Sequence, residues 1–223
     1  MKSKIEVRFS SNPEFRFAEV DGKNTLVGYA ARFDSEAILR HPVHGEFTER
    51  IAPGAFKNVL NQDVRALLNH DPNFVFGRTK SGTLRLAEDG AGLRTENDMP
   101  DTQAARDLKV SVERGDISQQ SFGFVVAKDG DVWEKDEAGA ISRTITNVAE
   151  LRDTSYVTFP AYENTEVALR SLEEFRKQSA DPDPTVGDPN NPDKSNPMVD
   201  LTVQRARGRS IELKTKKLII EKE

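Results

Sequence analysis

The chain has 223 residues, enough for one well-buried domain, and its formal net charge at pH 7 is −5. It contains no cysteine, which excludes disulfide frameworks, zinc–thiolate sites and cysteine nucleophiles. The acidic balance gives no case for nucleic-acid binding. No apolar run reaches membrane-spanning length, and the amino terminus lacks the apolar segment of a signal peptide. We therefore expect a soluble protein made in a cytoplasm.

Strand patterns dominate the first 171 residues, and helix signals occur among them at two places. Alternating apolar residues predict strands at 26–33, 64–70, 117–126 and 151–160, and hairpins at 83–97 and 132–148. A short helix is predicted within 51–60, where Pro53 suits a first turn, and a longer one over 101–115. This mixture, mainly β with helices (α+β), predicts a closed or nearly closed barrel with short helices around it.

The composition changes after residue 171. A charged segment, 172–178, predicts a terminal helix, and the next stretch contains five prolines and no aromatic residue. We expect a folded domain over 1–176, a disordered Pro-rich linker over 177–200 and a basic tail over 201–223. The tail carries seven basic and three acidic side chains, which suggests a docking element. A solvated, cleavable remnant is the alternative.

The three histidines fall in two different contexts. His41 and His44 flank a proline in LRHPVHGE, and because no third histidine or thiolate accompanies this pair, we interpret them as solvent-facing loop residues without a metal. His70 ends a predicted strand and precedes the turn signal Asp71-Pro72. Strand ends that enter loops are places where rigid scaffolds hold reactive groups, although a structural role for His70 stays open.

Two further polar residues stand out on predicted strands. In ISQQSFGFVV, Ser121 shares a face with Gly123, so no side chain covers the hydroxyl from that position. In LRDTSYVTFP, strict alternation places Asp153 on one face with apolar Leu151 and Val157. A buried carboxylate is costly without a partner. The partner could be a histidine N–H or an arginine such as Arg143.

These three residues are the set that nucleophilic acyl transfer requires. A serine attacks, a histidine takes its proton, and a carboxylate orients the imidazole. The chain order would be His, Ser, Asp, and the sequence has no G-x-S-x-G elbow. Spacing alone does not assign these roles.

Five stretches in fixed order make the sequence resemble a known family. They are GYAARFDSE, FTERIAPGAF, ALLNHDPNFVFGRT, AARDLKVSVERGDISQQSFGF and LRDTSYVTFPAYENTEVALR. Together they resemble the prohead serine proteases of tailed phages, which are related in fold to herpesvirus assemblins. The resemblance implies an assemblin-like β-barrel surrounded by helices.

The same resemblance implies roles for single residues. His70 would be the general base, Ser121 the nucleophile and Asp153 the third member, where relatives often carry glutamate. Glu150 is the fallback for that third position. Gly123 would leave room for a substrate backbone to lie beside Ser121 as an added strand. Backbone N–H groups near Ser121, with Arg152 helping through a water, would stabilise the oxyanion.

The resemblance also implies a biological role. The protein would be a serine endopeptidase that cleaves capsid or scaffold protein segments, and itself, inside the prohead within the bacterial host cytoplasm. We expect no cofactor, no metal, no membrane contact and no direct nucleic-acid role, whereas the dimers of assemblin relatives suggest self-association as a dimer. The alternative is a non-catalytic scaffold or assembly protein that keeps the protease-like barrel.

Overall fold

The structure, a computed structural model, describes residues 5–9, 15–33, 35–41, 45–159 and 165–178. All of them lie in the first of the two units into which the chain divides, Met1–Asp181. The strands of this part are β1 (Glu6–Phe9), β2 (Arg16–Val20), β3 (Lys23–Arg32), β4 (Glu36–His41), β5 (Gly45–Ile51), β6 (Arg65–Leu68), β7 (Asp71–Arg78), β8 (Leu84–Glu88), β9 (Gly92–Asp98), β10 (Gln119–Val126), β11 (Asp131–Lys135), β12 (Ile141–Ile145) and β13 (Val148–Val157). The helices are α1 (Gln103–Arg114) and α2 (Thr165–Gln178), with a short 3-10 turn at Thr79–Ser81.

The strands pair into three sheets. A five-stranded sheet has the order β1-β10-β13-β6-β7, and two four-stranded sheets have the orders β11-β12-β5-β4 and β2-β3-β9-β8. The prediction of a mainly β fold with helices is confirmed. The predicted closed barrel is wrong for the described part of the chain, because its pairings leave three separate sheets with free edges. Alternation along single strands cannot show where one sheet stops and the next begins.

The main core lies against the inner face of the five-stranded sheet. Phe122 and Phe124 of β10 are buried there, with ring centroids 4.9 Å apart, and Phe56 meets Phe122 edge-on at 5.7 Å. Leu151 and Tyr156 of β13 belong to the same cluster. Side chains of this size contribute about 1.5–3 kcal/mol each on burial, and this packing fixes β10 and β13. The opposite face of these two strands carries polar side chains.

Helix α1 matches its prediction closely. The Thr102 hydroxyl accepts from the Ala105 backbone N–H at 3.3 Å as the amino-terminal cap, and Gly115 ends the helix with φ of 82°. Ala105 and Leu108 form its buried face. The helix therefore leads directly into β10 and fixes the start of that strand.

The predicted helix within 51–60 is wrong. This segment forms consecutive turns with i to i+3 hydrogen bonds, such as Val59 N–H to the Phe56 carbonyl at 3.0 Å. The Glu88 carboxylate accepts from the backbone N–H groups of Gly54 and Phe56 at 2.6 and 2.9 Å. Gly54 has φ of 95°, outside the helical region. A distant side chain thus satisfies the N–H groups that a first helical turn leaves free.

Other predicted boundaries shift or fall outside the described residues. The terminal helix begins earlier than predicted, at Thr165. β7 occupies a stretch that the sequence indicated as a turn and loop. Most of the predicted linker and all of the basic tail lie outside the described residues, so the domain boundaries stay predictions. Neither described helix combines the length and apolarity needed to cross a membrane.

Candidate active site

The site is built on the outer face of the five-stranded sheet, where β10 and β13 run antiparallel. Ser121 lies opposite Ser155, and Gly123 lies opposite Asp153. Between Gly123 and the next residue the register shifts, so that Arg152 is an extra residue in β13. Residues directly opposite one another share a face of the sheet, so this β-bulge brings Asp153 onto the same face as the serine.

The bulge corrects the predicted faces of β13. Strict alternation grouped Asp153 with Leu151, but Leu151 lies opposite Phe124 and belongs to the core. Asp153 instead projects from the outer face with Ser155. The carboxylate therefore does not point into the core, and Asp153 does not bear the cost of burial among apolar side chains that alternation suggested.

His70 reaches this face from a tight turn rather than from a strand end. β6 pairs in parallel with β13 and stops at Leu68, after which Asn69 and His70 have φ of 49° and 59°. Asparagine and histidine are among the residues enriched in this left-handed region. The end of β13 holds the turn: Asn69 N–H donates to the Tyr156 carbonyl at 2.9 Å, and Thr158 N–H donates to Asn69 Oδ1 at 2.9 Å.

The structure brings the three predicted residues into one hydrogen-bonded chain. His70 Nδ1 lies 2.6 Å from Asp153 Oδ1, and His70 Nε2 lies 2.9 Å from Ser121 Oγ. These separations suit hydrogen bonds between each pair. The imidazole therefore lies between hydroxyl and carboxylate, as a proton relay from a serine requires.

The Ser121 hydroxyl has a second partner, which the sequence did not reveal. Its Oγ also lies 2.7 Å from the backbone carbonyl oxygen of Arg8 in β1. A carbonyl only accepts and a hydroxyl has one proton, so the Arg8 carbonyl and a neutral His70 Nε2 compete for it. When a neutral imidazole donates Nδ1–H to Asp153, the hydroxyl proton can therefore serve only one of these two acceptors at a time.

β1 also corrects the expected role of Gly123. Phe9 lies opposite Ser121 and Val7 lies opposite Gly123, so β1 occupies the edge of β10 where a substrate strand was predicted. The space above Gly123 holds the carboxylate instead, since a Cβ built at this glycine would lie 2.6 Å from Asp153 Oδ2. Gly123 is thus the residue that lets Asp153 approach β10.

The three side chains differ in access to solvent. His70 and Asp153 are 24% and 15% exposed, whereas Ser121 is 1% exposed. A cleft of about 600 Å³ runs along Asp153 and is also lined by Arg65, Leu67 and Arg152. A larger cleft, of about 780 Å³, lies elsewhere and is lined by other residues. Of the three candidates, Asp153 therefore lines a polar cleft, whereas His70 and Ser121 are not among the residues that line it.

The alternative partners weighed for these positions are engaged elsewhere. Arg143 donates to Glu6 and Glu49 at 2.8 Å each, so it is not the partner of Asp153. Glu150 accepts from Arg152 Nε at 2.7 Å, and both side chains are more than 40% exposed. Glu150 as the fallback member and Arg152 as an oxyanion helper remain predictions without a supporting contact.

A buried ion cluster lies on the opposite side of β1 from the hydroxyl. Glu6 and Arg8 project inward and meet Glu49 of β5 and Arg143 of β12, all at most 3% exposed. Arg8 donates to Glu49 at 2.5 and 3.0 Å. Burial raises the pKa of Glu49, but Arg8 and Arg143 more than offset this and hold that pKa below its ordinary value. The cluster therefore fixes β1, and with it the Arg8 carbonyl.

One stretch near the amino terminus contains a signal for β1 that alternation alone interprets wrongly. IEVRF, residues 5–9, alternates apolar and charged residues, which predicts a strand but suggests that the charges face solvent. The structure reverses this expectation because Glu6 and Arg8 find buried partners.

Of the predicted loop histidines, His44 lies outside the described residues, and nothing of the His41 side chain is described. Among the described residues no cluster of three or more metal-ligating side chains occurs.

Comparison with known proteins supports the resemblance inferred from the sequence. The prohead protease of Enterobacteria phage HK97 is 33% identical over 157 residues, which make up 66% of this chain and 61% of that protein. The chain thus spans less than two thirds of this relative's length. The solved capsid assembly protease of bacteriophage T4 aligns with 72% of this chain and 100% of its own, at 14% identity and a TM-score of 0.43, which is too low to establish a shared fold.

The family assignment rests on a match that spans most of the chain. The family model described as caudovirus prohead serine protease matches residues 12–178, a range that includes His70, Ser121 and Asp153. The chain belongs to the caudovirus prohead serine protease family.

Proposed function

We propose that this protein is a serine endopeptidase in which Ser121 is the nucleophile, His70 the general base and Asp153 the residue that orients the imidazole. The observation that carries the proposal is the continuous chain of contacts from Ser121 Oγ through His70 to Asp153 Oδ1, at 2.9 and 2.6 Å. Membership of a serine protease family agrees with it.

The geometry supports the following sequence of steps. The Ser121 hydroxyl first turns from the Arg8 carbonyl to His70 Nε2, which takes the proton as Oγ attacks the substrate carbonyl carbon. Asp153 stabilises the imidazolium through Nδ1–H. The tetrahedral intermediate collapses as the imidazolium gives its proton to the leaving amine. Water then repeats the cycle on the acyl-enzyme and releases the free serine.

The substrates we propose are protein segments of the assembling capsid. The HK97 relative is a prohead protease, and the family model that matches residues 12–178 has the same description. From these descriptions we infer that this protein acts inside the prohead on capsid or scaffold segments, and on itself. Self-association as a dimer, which the resemblance implies, is also part of this proposal.

The experiment that tests this function is the intact mass of freshly expressed protein, alone and co-expressed with its capsid protein. We expect fragments of the wild type or of the capsid protein that are absent with the Ser121→Ala variant. Ser118→Ala is the matched control, since it removes a nearby hydroxyl from the same segment. Identical fragments in wild type and Ser121→Ala would assign the cleavage to a host protease.

The alternative of a non-catalytic assembly protein draws on one observation. The Ser121 hydroxyl is almost fully buried and bonded to the Arg8 carbonyl, an arrangement that an inactive relative could retain. Such a protein would leave the capsid protein at full length while still associating with it. Cleavage that disappears with Ser121→Ala would exclude this alternative.

A further inference from the structure

We infer that Ser155 is a positioning residue that holds the carboxylate of Asp153 in line with His70; the inference builds on the proposed function. The Ser155 hydroxyl donates to Asp153 Oδ1 at 2.7 Å. His70 Nδ1 approaches the same oxygen at 2.6 Å. One carboxylate oxygen thus receives two donors, and their directions determine how the carboxylate is turned.

Burial makes the Ser155 contact well defined. Ser155 is 0% exposed, and it lies directly opposite Ser121 on β10. A buried hydroxyl without a partner is costly, so a hydroxyl sealed in this position favours the rotamer that reaches the carboxylate. By contrast, Asp153 itself is 15% exposed and could otherwise rotate toward the solvent of the polar cleft.

The other carboxylate oxygen is restricted by shape. Oδ2 occupies the space that a Cβ at Gly123 would fill. The carboxylate is therefore held between a donor on its own strand and the bare backbone of the neighbouring strand. Aspartate is a short side chain with two rotatable bonds, so these two contacts together with His70 define a single orientation.

Thr154 offers a matched comparison on the same strand. It is also 0% exposed, but its hydroxyl has no hydrogen-bond partner among the described residues, and it lies on the core face opposite Phe122. Replacing either residue removes one buried hydroxyl from β13. Only the Ser155 replacement removes a donor to the carboxylate.

The first test observes the resting protein and needs no activity. In a Ser121→Ala background, which prevents self-cleavage, the Nδ1 proton of His70 is observed by NMR, and His70→Gln assigns it among three histidines. Adding Ser155→Ala is expected to shift or broaden this resonance, whereas Thr154→Val leaves it unchanged. An unchanged resonance in the Ser155→Ala protein would overturn the inference.

The second test measures the rate at which a fluorophosphonate labels Ser121, with Oγ–P bond formation and loss of fluoride. Loss of a hydrogen bond to a carboxylate predicts labelling about 10- to 100-fold slower for Ser155→Ala, with Thr154→Val close to wild type. If Ser155→Ala does not fold, Ser155→Thr and Ser155→Val replace it, because these side chains match in size and only threonine keeps the hydroxyl.

The outcomes separate this inference from the proposed function. Slow labelling with valine and recovery with threonine support positioning by Ser155. Equal rates for the two variants would refute it. If the wild type itself is not labelled, the proposed function fails, but the NMR comparison still decides whether Ser155 orients Asp153.

Discussion

Two polar clusters on opposite faces of β1 show how differently one fold treats buried hydrogen-bonding groups. The inner cluster of Glu6, Arg8, Glu49 and Arg143 is sealed, and every charge has an oppositely charged partner. The outer cluster is the Ser121 site, where His70 and Asp153 are partly exposed. There, a single hydroxyl proton has two acceptors. In the inner cluster one arrangement pairs every charge, whereas in the outer cluster the Ser121 proton can point to either of two acceptors.

This difference teaches where stability and reactivity reside. A buried charge that loses its partner is costly, so the inner cluster resists change. In the outer cluster a proton can move from one acceptor to another without breaking any strand pairing. Arg8 contributes its guanidinium to the inner cluster and its carbonyl to the outer one. The buried ion pairs of the inner cluster therefore fix the carbonyl oxygen that accepts from Ser121.

The largest expected effect is on the reactivity of Ser121 in the outer cluster. Asp153→Asn should lower the rate of Ser121 labelling by a fluorophosphonate about 10⁴-fold, because an amide cannot stabilise the imidazolium and favours the wrong tautomer. Glu150→Gln is the control, and it also tests the fallback assignment. A large loss with Glu150→Gln and a small one with Asp153→Asn would reverse the two roles.

The next effect belongs to the sealed cluster. Glu49→Gln should lower the free energy of unfolding by about 3–5 kcal/mol, since Arg8 and Arg143 lose a buried counter-charge. Glu46→Gln on the same strand removes only an exposed pair with Arg40, so it should cost at most about 1 kcal/mol. Urea denaturation of the two variants gives the comparison, and equal losses would show that burial of the cluster does not matter.

Gly123→Ala should slow the labelling of Ser121, because its methyl group takes the space of a neighbouring side chain. The added Cβ would meet Asp153 Oδ2 at 2.6 Å, and displacing the carboxylate by a fraction of an ångström to 1 Å predicts labelling about 10²-fold slower. Gly90→Ala is the control, because a Cβ there meets nothing within 4 Å. A Gly123→Ala protein that labels at the wild-type rate would show that the carboxylate does not need this space.

The smallest effect is the pH dependence of stability. Glu49 has a folded-state pKa below its ordinary value of 4.5, so its contribution is complete above about pH 4.5 and is lost as pH falls through the folded-state pKa. A hydrogen bond from Arg78 likewise lowers the pKa of Asp63, to about 2. The unfolding free energy should therefore fall from about pH 4.5 toward pH 2, with Glu49 contributing at most about 1.4 kcal/mol per pH unit.

Chemical denaturation at pH 7, 5, 4 and 3 measures this dependence. The Glu49→Gln variant should lose less stability over the same interval, because one of the titrating groups is absent. Stability that rises as pH falls from 5 to 3 would contradict the assignment of lowered carboxyl pKa values.

Local sequence signals predicted the elements that carry the site but not how they meet. Alternation located β10 and β13, and capping residues located α1. The faces of β13 could not be predicted, because the bulge at Arg152 depends on pairing with β10. For the same reason alternation assigns Asp153 to the core side, and it leaves the partner open between a histidine and Arg143.

Long-range pairing also explains what the sequence did not indicate. The turn that presents His70 depends on Thr158, which lies far along the chain, and the neighbour of Ser121 is β1 from the amino-terminal end. Nothing local in the IEVRF stretch predicts that Glu6 and Arg8 are buried, since each needs a partner from another sheet. The closed barrel was expected for a similar reason: strand number is visible in a sequence, but sheet edges are not.

The most direct test of the account is to map where a fluorophosphonate binds and to compare wild type with His70→Ala. The account predicts one label per chain, on Ser121, and labelling slower by several orders of magnitude when His70 is replaced. Labelling of another serine, or equal rates in the two proteins, would contradict the claim that His70 and Asp153 activate Ser121.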